Sequence, residues 1–132
     1  MAVLGAWLCA GAALAQAPAE NPQPDGRSLF ARNCAACHQL DGRGIPGAFP
    51  PLAGSAVVTG APPDAAEVLL KGRGGMPDFS GSLDDAEIAL VLTFARASWG
   101  NRAPPVSDAE VGARRAELQV APASRSRFGN QH

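Results

Sequence analysis

Residues 34–38 read Cys-Ala-Ala-Cys-His, and this pentapeptide constrains the interpretation of the whole chain. If the segment is helical, Cys34 and Cys37 lie one turn apart on one face, and His38 follows immediately. Two cysteines at this spacing can form a strained local disulfide, act as a redox dithiol, supply half of a zinc site, or bond covalently to a cofactor. The rest of the sequence has to discriminate among these chemistries.

The zinc and dithiol alternatives lack the residues they require. A zinc site needs a second pair of ligands, and the other histidine, His132, stands at the C-terminal end. A thioredoxin-like dithiol follows a β-strand, and no stretch of the sequence alternates as a strand does. The pentapeptide is also the attachment motif for c-type haem. We therefore predict one covalent haem c, with Cys34 and Cys37 as thioethers and His38 as an axial iron ligand.

Met76 is the predicted second axial ligand. It is the one methionine besides Met1, and it stands on a glycine-rich loop between Gly75 and Pro77. A thioether suits iron that cycles between the ferrous and ferric states. The alternative is that Met76 fills the core, as most methionines do. Its position outside any predicted helix favours the ligand.

The N-terminal residues predict export. Residues 1–15 carry no charge and end in Ala-Leu-Ala, which is typical of a cleaved signal peptide, although no positive residue precedes the apolar run. The alternative, a membrane anchor, needs roughly 20 apolar residues. Cleavage would remove Met1 and Cys9 and release a soluble periplasmic protein. Residues 16–25 are then a Pro-rich leader.

Composition and charge limit the class of protein. The chain has 132 residues, so we expect one domain. Its aromatic residues are few, with five Phe, two Trp and no Tyr, and a haem would supply much of the missing bulk of the core. Eleven Lys and Arg nearly balance twelve Asp and Glu. No basic field exists that would favour nucleic acid.

The hydrophobic pattern predicts an all-α haem domain over residues 26–118. Helix starts are predicted by the caps Asp25, Asp84 and Ser107, the last two with Glu three residues later. Residues 41–60 are rich in Gly and Pro and are expected to be irregular, and residues 119–132 are expected to form a disordered tail. The predicted helices cover approximately residues 26–38, 63–71, 85–99 and 107–118.

The motifs together resemble class I cytochrome c. The similarity rests on residues 30–38 (Phe-Ala-Arg-Asn-Cys-Ala-Ala-Cys-His), 42–44 (Gly-Arg-Gly), 49–54 (Phe-Pro-Pro-Leu-Ala-Gly) and 76–77 (Met-Pro). Residues 84–101 are more narrowly similar to the haem domains of cytochrome subunits that serve periplasmic alcohol, aldehyde and sugar dehydrogenases. The resemblance implies three to five helices around one haem, with the first helix meeting the last near Phe94. It also implies that the Pro50 carbonyl accepts the Nδ1 proton of His38 and that Leu52 packs on the haem ring.

These observations predict a mono-haem cytochrome that carries single electrons in a periplasmic chain and is not itself an enzyme. Its expected partners are a dehydrogenase as donor and an oxidase or another cytochrome as acceptor, with membrane contact only through a partner or an uncleaved signal. Two alternatives stay open: a haem subunit of a dehydrogenase complex, and a haem sensor or peroxidase-like protein.

Overall fold

The computed structural model describes residues 24–124. The predicted signal peptide (1–15), nearly all of the Pro-rich leader (16–25) and residues 125–132 of the predicted tail lie outside this range. Within residues 24–124, no helix is both long and apolar enough to cross a membrane.

The described chain is helical, which confirms the predicted fold class. Residues 24–124 contain no β-strand, only two isolated bridges, Ile45 with Phe49 and Arg73 with Met76. The helices are α1 (Gly26–Asn33), α2 (Ala35–His38), α3 (Ala56–Thr59), α4 (Pro62–Lys71), α5 (Asp85–Arg96) and α6 (Asp108–Glu117).

Local capping chemistry begins three of these helices where the sequence predicts. The Asp25 carboxylate accepts a hydrogen bond from the Ser28 N–H at 2.7 Å, ahead of α1. Asp84 before α5 and Ser107 before α6 each form a complete capping box with the glutamate three residues later. These bonds satisfy backbone N–H groups that the first helical turn leaves without partners.

The structure differs from the predicted helices in three places. The first predicted helix is interrupted at Cys34, whose φ of −123° and ψ of −33° separate α1 from α2. The segment expected to be irregular contains α3, because the Ser55 hydroxyl accepts a hydrogen bond from the Val58 N–H at 3.3 Å. The helix predicted to reach Trp99 ends at Arg96, and Trp99 lies in a turn with φ of 55°.

A close crossing of α1 and α5 builds the centre of the core. Gly26 makes it possible, because a Cβ there would lie 2.9 Å from the Phe94 Cβ and closer still to a backbone oxygen of α5. One turn further along α1, Phe30 packs against Phe94 at 5.5 Å and against Trp99 at 5.0 Å between ring centroids. Such aromatic pairs contribute about 0.5–1.5 kcal/mol each beyond the area they bury. This contact fixes the end of α1 that leads into residues 34–38.

A buried arginine joins α5 to the chain on either side of it. The Arg96 side chain is 2% exposed and donates to three backbone carbonyls: Pro104 at 2.7 Å, Val58 at 2.6 Å and Gly60 at 2.8 Å. Three carbonyl acceptors offset part of the cost of burying a guanidinium. Arg96 thereby holds both α3 and the α5–α6 connection on α5.

The predicted tail starts with residues that the structure fixes against α6. The Val120 N–H donates to the Arg115 carbonyl at 3.0 Å, and the Ala121 carbonyl accepts from the Arg115 side chain at 2.8 Å. The ordered part of the domain therefore extends past residue 118.

Candidate functional site

The two cysteines and the histidine of residues 34–38 lie where α1 passes into α2. The Cys34 carbonyl accepts hydrogen bonds from the N–H groups of Cys37 at 3.2 Å and His38 at 2.9 Å, which closes the single turn of α2. Both thiols are unbridged and half-buried. The turn thus presents two thiols and an imidazole from one short stretch of backbone.

The environment of Cys34 does not favour thiolate chemistry. Burial raises the pKa of the Cys34 thiol to about 11, and the neighbouring Cys37 adds to this rise. Redox-active dithiols and zinc ligands work as thiolates and have lowered pKa values. Within residues 24–124, moreover, no cluster of three or more His, Cys, Asp or Glu side chains could hold a metal ion. Both observations speak against the dithiol and the zinc alternatives.

The His38 imidazole is held in a defined orientation. It is 8% exposed, and its Nδ1 lies 2.9 Å from the Pro50 carbonyl oxygen. Because a carbonyl oxygen can only accept, Nδ1 carries a proton, and in the neutral imidazole Nε2 then keeps its lone pair. Among the described residues, Nε2 makes no hydrogen bond. His38 therefore has the tautomer that a metal-binding imidazole needs, with the opposite nitrogen free to coordinate.

Glycines let the loop that carries Pro50 approach His38. Gly44 has φ of +65°, and a Cβ there would lie 2.6 Å from the Pro50 carbonyl oxygen. The Gly44 N–H also donates to the His38 carbonyl at 2.9 Å. Two residues earlier, the Gly42 carbonyl accepts from the N–H of Leu52 at 2.8 Å. Pro50 and Leu52 thus lie in the same loop, which contacts His38 through the Pro50 carbonyl.

Asn101 holds the other side of this loop, a role that sequence reasoning did not assign. Its amide is 6% exposed and donates to the carbonyls of Leu52 at 3.0 Å and Ala95 at 2.9 Å, while its oxygen accepts from the Gly54 N–H at 2.8 Å. The one signal in the sequence is the pair Gly100-Asn101, which reads as an ordinary turn. The clamp fixes the Leu52 segment to the C-terminal end of α5.

Met76 lies in a separate loop, between α4 and α5, and is half-buried. It exchanges two backbone hydrogen bonds with Arg73, at 3.2 and 3.0 Å, across Gly74 and Gly75. Gly72 ends α4 with φ of +72°, and a Cβ there would lie 2.5 Å from the Met76 carbonyl oxygen. The backbone around Met76 is therefore closely constrained on its N-terminal side.

The residues at this site fit a haem. A porphyrin attached through two thioethers needs two cysteines one turn apart and an imidazole whose free nitrogen can reach iron, and residues 34–38 supply these groups. The half-buried thiols and the free Nε2 of His38 agree with this requirement. A helical fold with this donor set, and with α1 crossed on α5, defines the class I c-type cytochromes.

Comparison with known proteins leads to the same class. Residues 21–94 match the family described as cytochrome c oxidase, cbb3-type, subunit III. The chain therefore belongs to this family of c-type cytochrome domains, and covalently bound haem c is its cofactor.

Individual relatives are of two kinds. The chain is 41% identical over 91 residues to the cytochrome c subunit of alcohol dehydrogenase (quinone) from Gluconobacter oxydans, which covers 60% of this chain and 19% of that subunit. It spans only about a fifth of such subunits. It is also 40% identical over 109 residues to cytochrome c-552 from Thermus thermophilus, which covers 71% of this chain and 68% of that protein.

Proposed function

We propose that this chain is a mono-haem electron carrier whose iron is bound by His38 and Met76 and whose haem is attached through Cys34 and Cys37. The haem iron, when bound, supplies the one-electron ferrous/ferric couple. The chain contains the Cys-x-x-Cys-His pattern once, which supports a single haem. The polypeptide holds the group and sets its environment.

The observation that carries this proposal is the hydrogen bond between His38 Nδ1 and the Pro50 carbonyl at 2.9 Å. This bond selects the tautomer, fixes the plane of the ring and increases the donor strength of Nε2. A redox dithiol would have no use for a histidine oriented in this way. We assign to Pro50 the role of acceptor for His38 and to Leu52 the role of an apolar contact on the haem.

Support for Met76 as the second ligand comes from its surroundings. The side chain is half-buried rather than part of the buried core, and it stands on a loop shaped by Gly72 and Gly74. A core-filling methionine would be expected on a helix face among the buried apolar residues. If His38 and Met76 stay bound to both ferrous and ferric iron, the reorganisation energy of electron transfer stays small.

We further propose that the chain is exported to the periplasm and transfers electrons between a dehydrogenase and an oxidase or another cytochrome, with no catalytic residues of its own. The relative of similar length, cytochrome c-552, favours a free-standing carrier. The second candidate is a haem subunit of a dehydrogenase complex, favoured by the 41% identity to an alcohol dehydrogenase cytochrome subunit. Purification of the chain from its native host separates them, because a subunit should elute with a dehydrogenase and a free carrier should elute alone.

Replacement of Met76 by Ala tests the ligation. The variant should keep its haem through denaturing electrophoresis, because both cysteines are intact. It should lose the low-spin ferric spectrum, show a lower reduction potential, and bind carbon monoxide readily in the ferrous state, whereas the parent should bind it poorly.

Leu40→Ala is a suitable control, since it truncates a side chain that is 68% exposed and should leave all three properties unchanged. A low-spin spectrum and an unchanged potential in Met76→Ala would show that the ligand lies elsewhere. Ready binding of carbon monoxide by the parent itself would instead favour a sensor or peroxidase-like protein.

A further inference from the structure

The guanidinium of Arg115, on α6, is buried and makes four hydrogen bonds, all to residues that lie outside its own helix. Arg115 is 5% exposed, and its Nε donates to the Asp85 carboxylate at 2.6 Å. The two terminal nitrogens donate to the carbonyls of Ser80 at 3.0 Å, Leu83 at 3.2 Å and Ala121 at 2.8 Å. Two of these four acceptors, Ser80 and Leu83, belong to the connection between α4 and α5.

That connection, residues 72–84, carries Met76 and has little structure of its own. Apart from the turn between Arg73 and Met76, two backbone hydrogen bonds join it to α4: from the Gly72 N–H to the Val68 carbonyl at 2.9 Å and from the Phe79 N–H to the Leu69 carbonyl at 2.7 Å. Leu83 N–H bonds back to Phe79 at 2.9 Å, within the segment itself. The Arg115 side chain therefore anchors the part of the loop that follows Met76, together with the Phe79 bond and the buried Leu83, as Gly72 and α4 anchor the part before it.

Removal of this guanidinium would leave the Leu83 carbonyl unsatisfied in a buried place and the Ser80 carbonyl unsatisfied in a partly buried one. A buried acceptor that loses its donor is costly, and the segment relieves that cost by moving toward water. The movement would begin four residues after Met76. α6 lies in the C-terminal third of the chain, beyond residues 21–94 that match the family.

We propose that Arg115 is a positioning residue for Met76: by fixing the Ser80–Leu83 end of the loop, it keeps the methionine in place as the second axial ligand and so controls how readily an external ligand replaces it. The inference rests on the ligation proposed above. It concerns the rigidity of the loop, and Arg115 touches neither the iron nor the haem.

Binding of imidazole to the ferric holoprotein tests the inference, because imidazole binds only when the methionine leaves the iron. An external ligand binds more tightly in proportion to the population of the open state. Arg115→Gln should therefore bind imidazole about tenfold more tightly than the parent. Arg115→Lys keeps the charge beside Asp85 but cannot reach several acceptors at once, and it should give an intermediate affinity.

Arg114→Gln is the matched control. Arg114 is the preceding residue of α6 and pairs with Glu67 of α4 and with Glu117, away from the Met76 loop. Its loss should lower the thermal midpoint but change the affinity for imidazole less than twofold.

The possible results are distinct. If Arg115→Gln and Arg114→Gln are both destabilised and both bind imidazole as the parent does, Arg115 is only a structural residue and the inference is wrong. If Arg115→Gln does not fold, Arg115→Lys decides: an affinity equal to that of the parent overturns the inference, and a tighter one supports it. If Met76→Ala binds imidazole no more tightly than the parent, the ligand assignment itself fails, whatever the arginine variants show.

Discussion

Substitution of Gly44 by Ala tests whether the loop beside His38 depends on the close approach that glycine permits. An added Cβ would lie 2.6 Å from the Pro50 carbonyl oxygen and closer still to the Phe49 carbonyl oxygen, whereas ordinary contacts start at 3.4 Å. Both carbonyls would have to retreat, that of Pro50 by about 0.8 Å. A shift of this size would break or strongly bend its 2.9 Å hydrogen bond with His38.

The expected cost has two parts. The positive φ of +65° costs an alanine about 1 kcal/mol. The displaced hydrogen bond, which leaves a buried donor on His38 unsatisfied, adds about 1–3 kcal/mol. Gly44→Ala should therefore lower the free energy of unfolding by about 2–4 kcal/mol, or the thermal midpoint by roughly 8–16 °C for a domain of this size. Because a weaker bond to Pro50 makes His38 a poorer donor, the reduction potential should also rise.

Gly47→Ala provides the matched control for this substitution. Gly47 has φ of +79°, and no atom lies within 4 Å of the position that a Cβ would take. It should pay only the conformational cost of about 1 kcal/mol and keep the parent's potential. The assays are thermal unfolding followed by circular dichroism and a redox titration of each holoprotein. Equal losses of stability in the two variants, with unchanged potentials, would refute the argument that Gly44 serves the His38–Pro50 bond.

Two further predictions concern the other loop and the first helix. Gly72→Ala would place a Cβ 2.5 Å from the Met76 carbonyl oxygen, so with Met76 as the proposed iron ligand it should weaken the methionine–iron bond and increase carbon monoxide binding. Gly74→Ala, with open space around its Cβ position, should not, and equal binding by the two variants would contradict the prediction. The backbone N–H of Ser28 lowers the pKa of Asp25 below its ordinary value of 3.8, so the stability that this cap contributes is present above about pH 4 and is lost as the pH falls further. Asp25→Asn keeps a cap but removes its charge. Between pH 6 and pH 2.5, its free energy of unfolding in urea should fall less than that of the parent, by an amount on the order of the cap's own contribution. Equal falls in the two proteins would show that the charge of Asp25 does not contribute.

The parts of the fold that sequence predicted well are those governed by neighbouring residues. The caps at Asp25, Asp84 and Ser107 act within three residues, and each begins a helix as predicted. The pattern of residues 34–38 is equally local. The short helix α3 escaped prediction because its glycine- and proline-rich surroundings masked the cap at Ser55.

The parts that sequence did not predict depend on packing between distant segments. Asn101 reaches a carbonyl 49 residues away, and Arg115 reaches one 32 residues away. An asparagine after glycine and an arginine in the last turn of a helix are common surface residues, so neither predicts burial. Only the arrangement of α5 and α6 over the two loops gives these side chains their acceptors.

The loop that carries Pro50 and the loop that carries Met76 are held in the same physical way. Each loop approaches its neighbours through a glycine with positive φ, Gly44 in the first and Gly72 in the second. The far end of each loop accepts hydrogen bonds from a buried polar side chain, Asn101 for the first loop and Arg115 for the second. Glycine permits the close approach but cannot enforce it, because the same freedom favours the unfolded chain. The buried amide and guanidinium supply the constraint, since moving the loop would leave their hydrogen-bonding groups unsatisfied.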